Sequence, residues 1–305
     1  MTIRTPNPMN TQQSMLDLMR SKARYAKTLE QVTSGKRIVD VGDDPSGSAL
    51  ILNFQGSIGR NDTSLAQVDT ASSFLQGAET AVSSAIDSLM RLQELGVTGL
   101  AATASGRLAN AQEVDSIRTN LLGLANTQEQ GKYLFAGNKT GTQPFAYQAP
   151  PVVPPIVDYA GNGANITLNL TTSATVTTNL PGDALFYGAN GKGSDTDLFQ
   201  AVTDLSEALK NNDTPGIKLA QQHVDTVFAS FNAARADLGG RQAGLDALKT
   251  GLTDFNTHLT DLQNTYQAVD YSAAAISLTT ENTAQQATLA VMGKVNQRSL
   301  FDYLA

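Results

Sequence analysis

The stretch LDALKTGLTDFNTHLTDLQNTYQAVDYSAAAI, residues 245–276, decides the fold class. Its apolar positions are Leu245, Leu248, Leu252, Phe255, Leu259, Leu262, Tyr266, Val269, Ala273 and Ile276, and they follow alternating steps of three and four residues. That spacing places them on one face of a helix as the a and d positions of a heptad seam. Asp246, Lys249, Asp254, Asp261 and Asp270 all fall off the seam. No proline interrupts from Ile217 onward, so one long helix is expected. Beyond Ile276 the same register passes through Thr280, Thr283, Ala287 and Ala290, with smaller and weakly polar seam residues.

The N-terminus carries a shorter version. Met15, Leu18, Tyr25, Leu29 and Val32 fit the same spacing, with Lys22 as one misfit. Pro6 and Pro8 keep this helix from starting earlier, and Gly35 suits its end. Asp44 then reads as an N-cap, with Pro45 at the first helical position. A short helix to about Gly56–Gly59 and a longer one carrying Leu65, Val68, Leu75, Val82, Ile86 and Leu89 are expected next. After a break at Thr98–Gly106, Val114, Ile117, Leu121 and Leu124 repeat the pattern.

The composition changes near Lys132. Between Pro144 and Asn190 lie six of the chain's ten prolines and only two charges, Asp158 and Asp183. Ile166, Leu168 and Leu170 alternate with Thr167, Asn169 and Thr171, the period of a strand. Helices resume near Thr196 and again at Pro215, with Gly239-Gly240 as a candidate break. The expected fold is mainly α: a long antiparallel helical bundle or coiled coil formed by both chain ends, with a small β-rich insert in the middle. Each apolar stripe needs a partner, so the two ends should lie side by side.

Bulk composition excludes several classes of function. The chain has 305 residues, 21 basic and 28 acidic side chains, and a net charge of −7. Nucleic-acid binding needs concentrated Lys and Arg, and no basic run suited to a membrane surface occurs. There is no cysteine, hence no disulfide, thiolate metal site or Cys nucleophile. The first twenty residues lack the apolar core of a secretory signal, and no stretch approaches the ~18 apolar residues of a membrane span.

Candidate chemistry is sparse. His223 and His258 sit in helical stretches without neighbouring ligands at metal spacing. Gly35-Lys36-Arg37 lacks the upstream glycine and strand of a phosphate loop, and a helix-ending turn explains it better. Asp43 and Asp44 precede a proline and read as helix capping rather than paired acids. Asn61, Asn138, Asn165 and Asn169 open N-x-T triplets of the kind a threonine-rich chain produces by chance. No nucleophile–base pair, cofactor loop or metal cluster stands out, so catalytic, cofactor and metal sites are all expected to be absent, and the chain is not expected to be an enzyme.

The terminal stripes point instead to assembly. Backbone ordering costs about 1–2 kcal/mol per residue, so a long end helix paired only with one short helix is marginal. Contacts with neighbouring subunits would tip the balance. The ends are therefore expected to be mobile in the monomer and helical in the assembly.

Thr33-Ser34-Gly35-Lys36-Arg37-Ile38 and Asp43-Asp44-Pro45-Ser46-Gly47 together resemble the N-terminal signature of the flagellin family. Within that family, Gly131-Lys132-Tyr133-Leu134-Phe135-Ala136-Gly137, Asn179-Leu180-Pro181-Gly182-Asp183-Ala184-Leu185-Phe186 and the tail Ser299-Leu300-Phe301-Asp302-Tyr303-Leu304 resemble the hook–filament junction type rather than the filament type. The resemblance implies an extracellular structural subunit of the bacterial flagellum. Its implied partners are the first hook-associated protein on the hook side, flagellin on the filament side, and further copies of itself in a helical ring. It also implies a cytosolic export chaperone on the C-terminal helix and export without a cleaved signal peptide. Residues 1–44 and 260–305 would form an inner terminal layer, 45–143 and 193–259 a helical bundle, and 144–192 an outward insert. The expected assembly residues are Met15, Leu18, Tyr25, Leu29, Val32, Leu262, Tyr266, Val269, Ile276, Leu300, Phe301, Tyr303 and Leu304. Gly35, Arg37, Asp44 and Pro45 carry the cap and the family signature.

Overall fold

The structure, a computed structural model, describes residues 8–149, 152–169 and 175–304, with side chains for 12–13, 15–149, 152–168 and 175–291. The described residues form six α-helices, one π-helical turn (Asp183–Tyr187) and three small antiparallel strand pairs. The chain divides into two compact units, Met1–Arg60 with Asp254–Ala305, and Asn61–Thr253.

The unit 61–253 takes most of helix α2 (Pro45–Ala101), all of α3 (Ala104–Ala125) and α4 (Leu198–Lys210), and most of α5 (Thr214–Gln267). Val68, Leu75, Val82, Ile86 and Leu89 are buried along α2, as their spacing requires. Within this unit, side-chain links tie α2 to α5, among them Gln93 to Asp225 (2.6 Å), Arg235 to Glu79 (3.1 Å), Gln242 to Ser72 (2.6 Å) and Lys249 to Asp69 (2.7 Å). Their numbers fall on α2 as they rise on α5, so the two helices are antiparallel.

Thr103 caps α3, its hydroxyl accepting from the Gly106 N–H at 3.3 Å. Arg107 satisfies the open end of α2 by donating to the Gly99 and Leu100 carbonyls at 2.8 and 3.2 Å. Asp197 caps α4 and accepts N–H groups of Gly193, Phe199 and Gln200. Burial pushes its carboxyl above the ordinary range, opposed by those three donors.

The β structure is three antiparallel pairs: β1 (Gln128–Glu129) with β2 (Lys132–Tyr133), β3 (Phe145–Tyr147) with β4 (Val157–Tyr159), and β5 (Thr167–Asn169) with β6 (Thr175–Thr177). Leu170, an expected strand residue, lies outside the described residues. Aromatics are few, and they concentrate here. Phe145 packs on Tyr159, Phe186 and Phe199 with ring centroids 4.9, 5.0 and 5.6 Å apart, and Phe186 meets Phe135 and Phe231 edge-on. The Tyr187 hydroxyl donates to the Val157 carbonyl at 2.8 Å. The insert is thereby fastened to the helices by a shared aromatic core.

Two expected breaks are absent. Helix α2 runs through Gly56 and Gly59, and α5 runs through Gly239-Gly240. An interior glycine costs about 1 kcal/mol relative to alanine, which packing of such long helices overrides. A Cβ at Gly240 would meet nothing within 4 Å. Gly240→Ala is therefore expected to stabilise the chain by roughly 0.5–1 kcal/mol; an unchanged or lower denaturation midpoint would count against this account.

One break was not expected from the sequence. Between α5 and α6 (Tyr271–Leu304) the heptad run is interrupted at residues 268–270. Asp270 caps α6, accepting the N–H groups of Ser272 and Ala273 at 2.9 and 3.1 Å.

Candidate assembly surface

The unit formed by the two chain ends pairs α1 (Pro8–Ser34) with α6 in antiparallel fashion. Arg24 and Glu281 form an ion pair at 2.8 Å across the pair. At its closed end a short β-bridge joins Lys36 to Ala268. The Arg37 N–H donates to the Gln267 carbonyl at 2.7 Å, and the Val269 N–H to the Gly35 carbonyl at 3.0 Å. These bonds are why α5 stops: residues 268 and 269 leave the helix to bond the chain that follows α1. Gly35 ends α1 at a φ of +71°, where a Cβ would lie 2.8 Å from the Tyr271 hydroxyl.

The signature residues complete this clamp. Arg37 reaches both Asp44 Oδ2 and the Tyr266 carbonyl at 3.2 Å. Asp44 accepts the Gly47 N–H at 2.9 Å and the Ser46 hydroxyl at 2.7 Å, and Pro45 opens α2. Asp43 accepts the N–H groups of Val39 and Asp40 and pairs with Lys27. The Gly47 N–H, the Ser46 hydroxyl and Arg37 hold the Asp44 carboxyl down to about 2. A carboxylate held below its ordinary value stabilises the fold above pH ~4, and that contribution disappears as pH falls through about 2. Acid titration is accordingly expected to loosen the clamp between pH ~4 and ~2, and Asp44→Asn to remove part of that transition. An Asp44 titration midpoint near pH 4 by NMR would refute this.

The expected assembly residues divide between two faces. Leu18, Tyr25 and Val32 are half-buried, in line with a buried Ser21 and a half-buried Thr28 on α1. Opposite them on α6 lie Ala274, Leu278, Glu281, Gln285 and Thr288. This covered seam is small and polar. The Ser21 hydroxyl and Glu281 Oε2 are buried there without a hydrogen-bond partner. Leu262 and Val269 are half-buried, while Tyr266 is largely open and touches Phe54 at 6.0 Å between ring centroids. Met15 and Leu29 are exposed, and Ile276 is 69% exposed. The side chains of Leu300, Phe301, Tyr303 and Leu304 lie outside the described residues.

The heptad register of α6 is the one left open. Ala273, Ile276, Thr280, Thr283, Ala287 and Ala290 are all exposed, about 150° around the helix from the residues that face α1. On α1 a second stripe of Met15, Met19 and Leu29 is likewise exposed, about 100° from the covered one. Sequence periodicity alone did not single out Met19, nor the Ser21–Ala274 seam, whose small polar members carry no hydrophobic signal.

The two ends of the chain match two family models. Residues 7–140 match the bacterial flagellin N-terminal helical region, and residues 221–304 match the bacterial flagellin C-terminal helical region. The chain belongs to the flagellin family. Among relatives of this flagellin-family chain, flagellar hook-associated protein 3 of Escherichia coli K12 is 26% identical, over 98% of this chain and 99% of that protein. Flagellin of Bacillus subtilis 168 is 24% identical over 89% of each. The crystal structure of the flagellar junction protein FlgL from Legionella pneumophila aligns over 73% of this chain and 100% of its own, with a TM-score of 0.59 at 17% identity, a likeness of fold.

Charge divides between the two compact units. The unit Met1–Arg60 with Asp254–Ala305 carries ten basic and ten acidic residues, whereas Asn61–Thr253 carries eleven and eighteen. The whole net charge thus belongs to 61–253, and the helices with open apolar stripes belong to a neutral unit. Neutrality lets copies of that unit approach without mutual repulsion.

Proposed function

We propose that this chain is a structural subunit of the bacterial flagellum, a junction adaptor that joins the first hook-associated protein to the flagellin filament. The end-to-end match to hook-associated protein 3, over 98% of this chain and 99% of the relative, carries the reading. The open α6 register supplies the mechanism. Repeated heterologous contacts around a screw axis build an open tube, and an exposed heptad register with no partner among the described residues of its own chain is suited to a helix of the next copy. Residues 1–44 and 260–305 form the inner layer, 45–143 and 193–259 the bundle around it, and 144–192 the outward insert. The terminal helices are mobile in the monomer and become ordered in the assembly. An adaptor needs one rim that accepts the hook side and another that accepts flagellin, a discrimination set by polar residues around the seams. Before export a cytosolic chaperone covers the C-terminal helix, and export proceeds without a cleaved signal.

Deleting residues 290–305 is expected to abolish filament attachment while residues 61–253 still fold. The null strain should bear hooks that end in the first hook-associated protein, with flagellin lost to the medium; a null strain that swims normally would refute the reading. The Bacillus subtilis match favours a second reading, bulk filament subunit. Copy number separates the two: a few per flagellum for an adaptor, thousands for a filament subunit (both follow from the family resemblance).

A further inference from the structure

Two sulfur atoms stand in the open stripe of α1. Met15 is 57% exposed and Met19 is 59% exposed, one turn apart on the same face, with Leu29 further along it. The chain has no cysteine, so thioethers are its only sulfur. Methionine is soft, flexible and apolar, which suits a surface that must settle against another helix. The same exposure leaves its sulfur open to peroxide, which converts it to a polar sulfoxide. Met90 is the internal comparison: it is 47% exposed, but it belongs to α2 within residues 61–253 and to neither terminal stripe.

We infer that Met15 and Met19 of the unassembled subunit are oxidation sites, and that their sulfoxides withhold the subunit from assembly. The inference rests on the junction reading above, in which this stripe meets another chain. The chemistry is a two-electron oxygen transfer. A peroxide O–O bond breaks, a sulfur–oxygen bond forms, the sulfur is oxidised and the peroxide is reduced to water. A sulfoxide oxygen placed at a helix–helix seam must give up its water or hold the helices apart. Once the stripe is covered by a neighbour, the same sulfurs are shielded, so sensitivity belongs to the free subunit.

The test uses the full chain and hooks isolated from a strain lacking it. Untreated protein is added with flagellin and restores filament growth. After treatment with hydrogen peroxide and its removal, the yield of filaments is expected to fall about tenfold or more, with a mass gain of about 16 Da per sulfur on the peptides holding Met15 and Met19. The variant Met15→Leu/Met19→Leu keeps the stripe apolar without a thioether and is expected to restore growth with or without peroxide. Met90→Leu is expected to remain as sensitive as the parent chain. Equal restoration by treated and untreated parent protein would overturn the inference, as would an equal loss in the double leucine variant. Failure of the untreated protein to restore growth would overturn the junction reading and this inference with it.

Discussion

Cells whose only copy of the chain carries Ile276→Asp and Ala287→Asp are expected to lose their filaments, while the thermal unfolding of residues 61–253 stays where it is in the parent. Both positions lie on the exposed α6 register, which no described residue of its own chain covers. Aspartate there faces water in the free subunit, so its cost to the monomer is small. Covered by another helix, each unpaired carboxylate would cost on the order of several kcal/mol, and a tube repeats that cost at every subunit. Leu278→Asp makes the contrast. Leu278 is half-buried on the side facing α1, so its replacement should loosen the pairing of the chain ends within the monomer, seen as faster hydrogen exchange in α1. Normal filaments on the Ile276→Asp/Ala287→Asp chain would show that the open register is not an interface.

The sequence was most legible where one physical signal acted alone. Leu245, Leu252 and Leu259 fall one heptad apart, and all three are buried. The Asp44-Pro45 cap and the Gly35 stop were readable because capping is local chemistry. The interruption at 268–270 was not readable from periodicity, because Val269, Ala273 and Ile276 keep the heptad step across it. What breaks the helix is a pair of backbone bonds to Gly35 and Arg37, residues more than two hundred positions away in sequence. The one local sign was Asp270 followed by Ser272 and Ala273, an N-cap pattern inside an apparent helix. The same interruption explains why a single heptad register could not describe both sides. Upstream, Leu245, Leu252 and Leu259 of the register are buried while Phe255 and Tyr266 are exposed, and downstream the covered stripe shifts from Ala273 to Ala274.

Assembly and solubility are thereby assigned to different parts of one sequence. Residues 61–253 have a deep aromatic and aliphatic core and all of the net charge, which keeps the subunit dispersed. The terminal helices have a thin polar seam, two buried unpartnered oxygens and their best apolar residues facing outward. A unit so arranged is stabilised more by a neighbour than by itself.

Gly137→Ala is expected to destabilise residues 61–253 by about 3 kcal/mol or more, whereas Gly131→Ala, six residues away, should cost only about 1 kcal/mol. Both glycines have positive φ, +65° and +76°. Their surroundings differ. Gly131 is the second residue of the two-residue turn Gln130-Gly131 between β1 and β2, and a Cβ there meets nothing within 4 Å. Its substitution therefore adds backbone strain alone. At Gly137 a Cβ would fall 1.9 Å from the Asn162 carbonyl oxygen and 2.2 Å from Asn162 Oδ1. That carbonyl cannot swing away, since the Tyr159 hydroxyl sits 2.9 Å from it and Asn162 Oδ1 accepts the Asn138 N–H. Relief must come from moving Phe135 and Ala136, both buried in the aromatic core. Chemical denaturation of the two variants, compared with the parent, separates strain from clash: equal losses would mean that the Phe135-Ala136-Gly137 turn is held by φ alone, and the close approach of Asn162 contributes nothing.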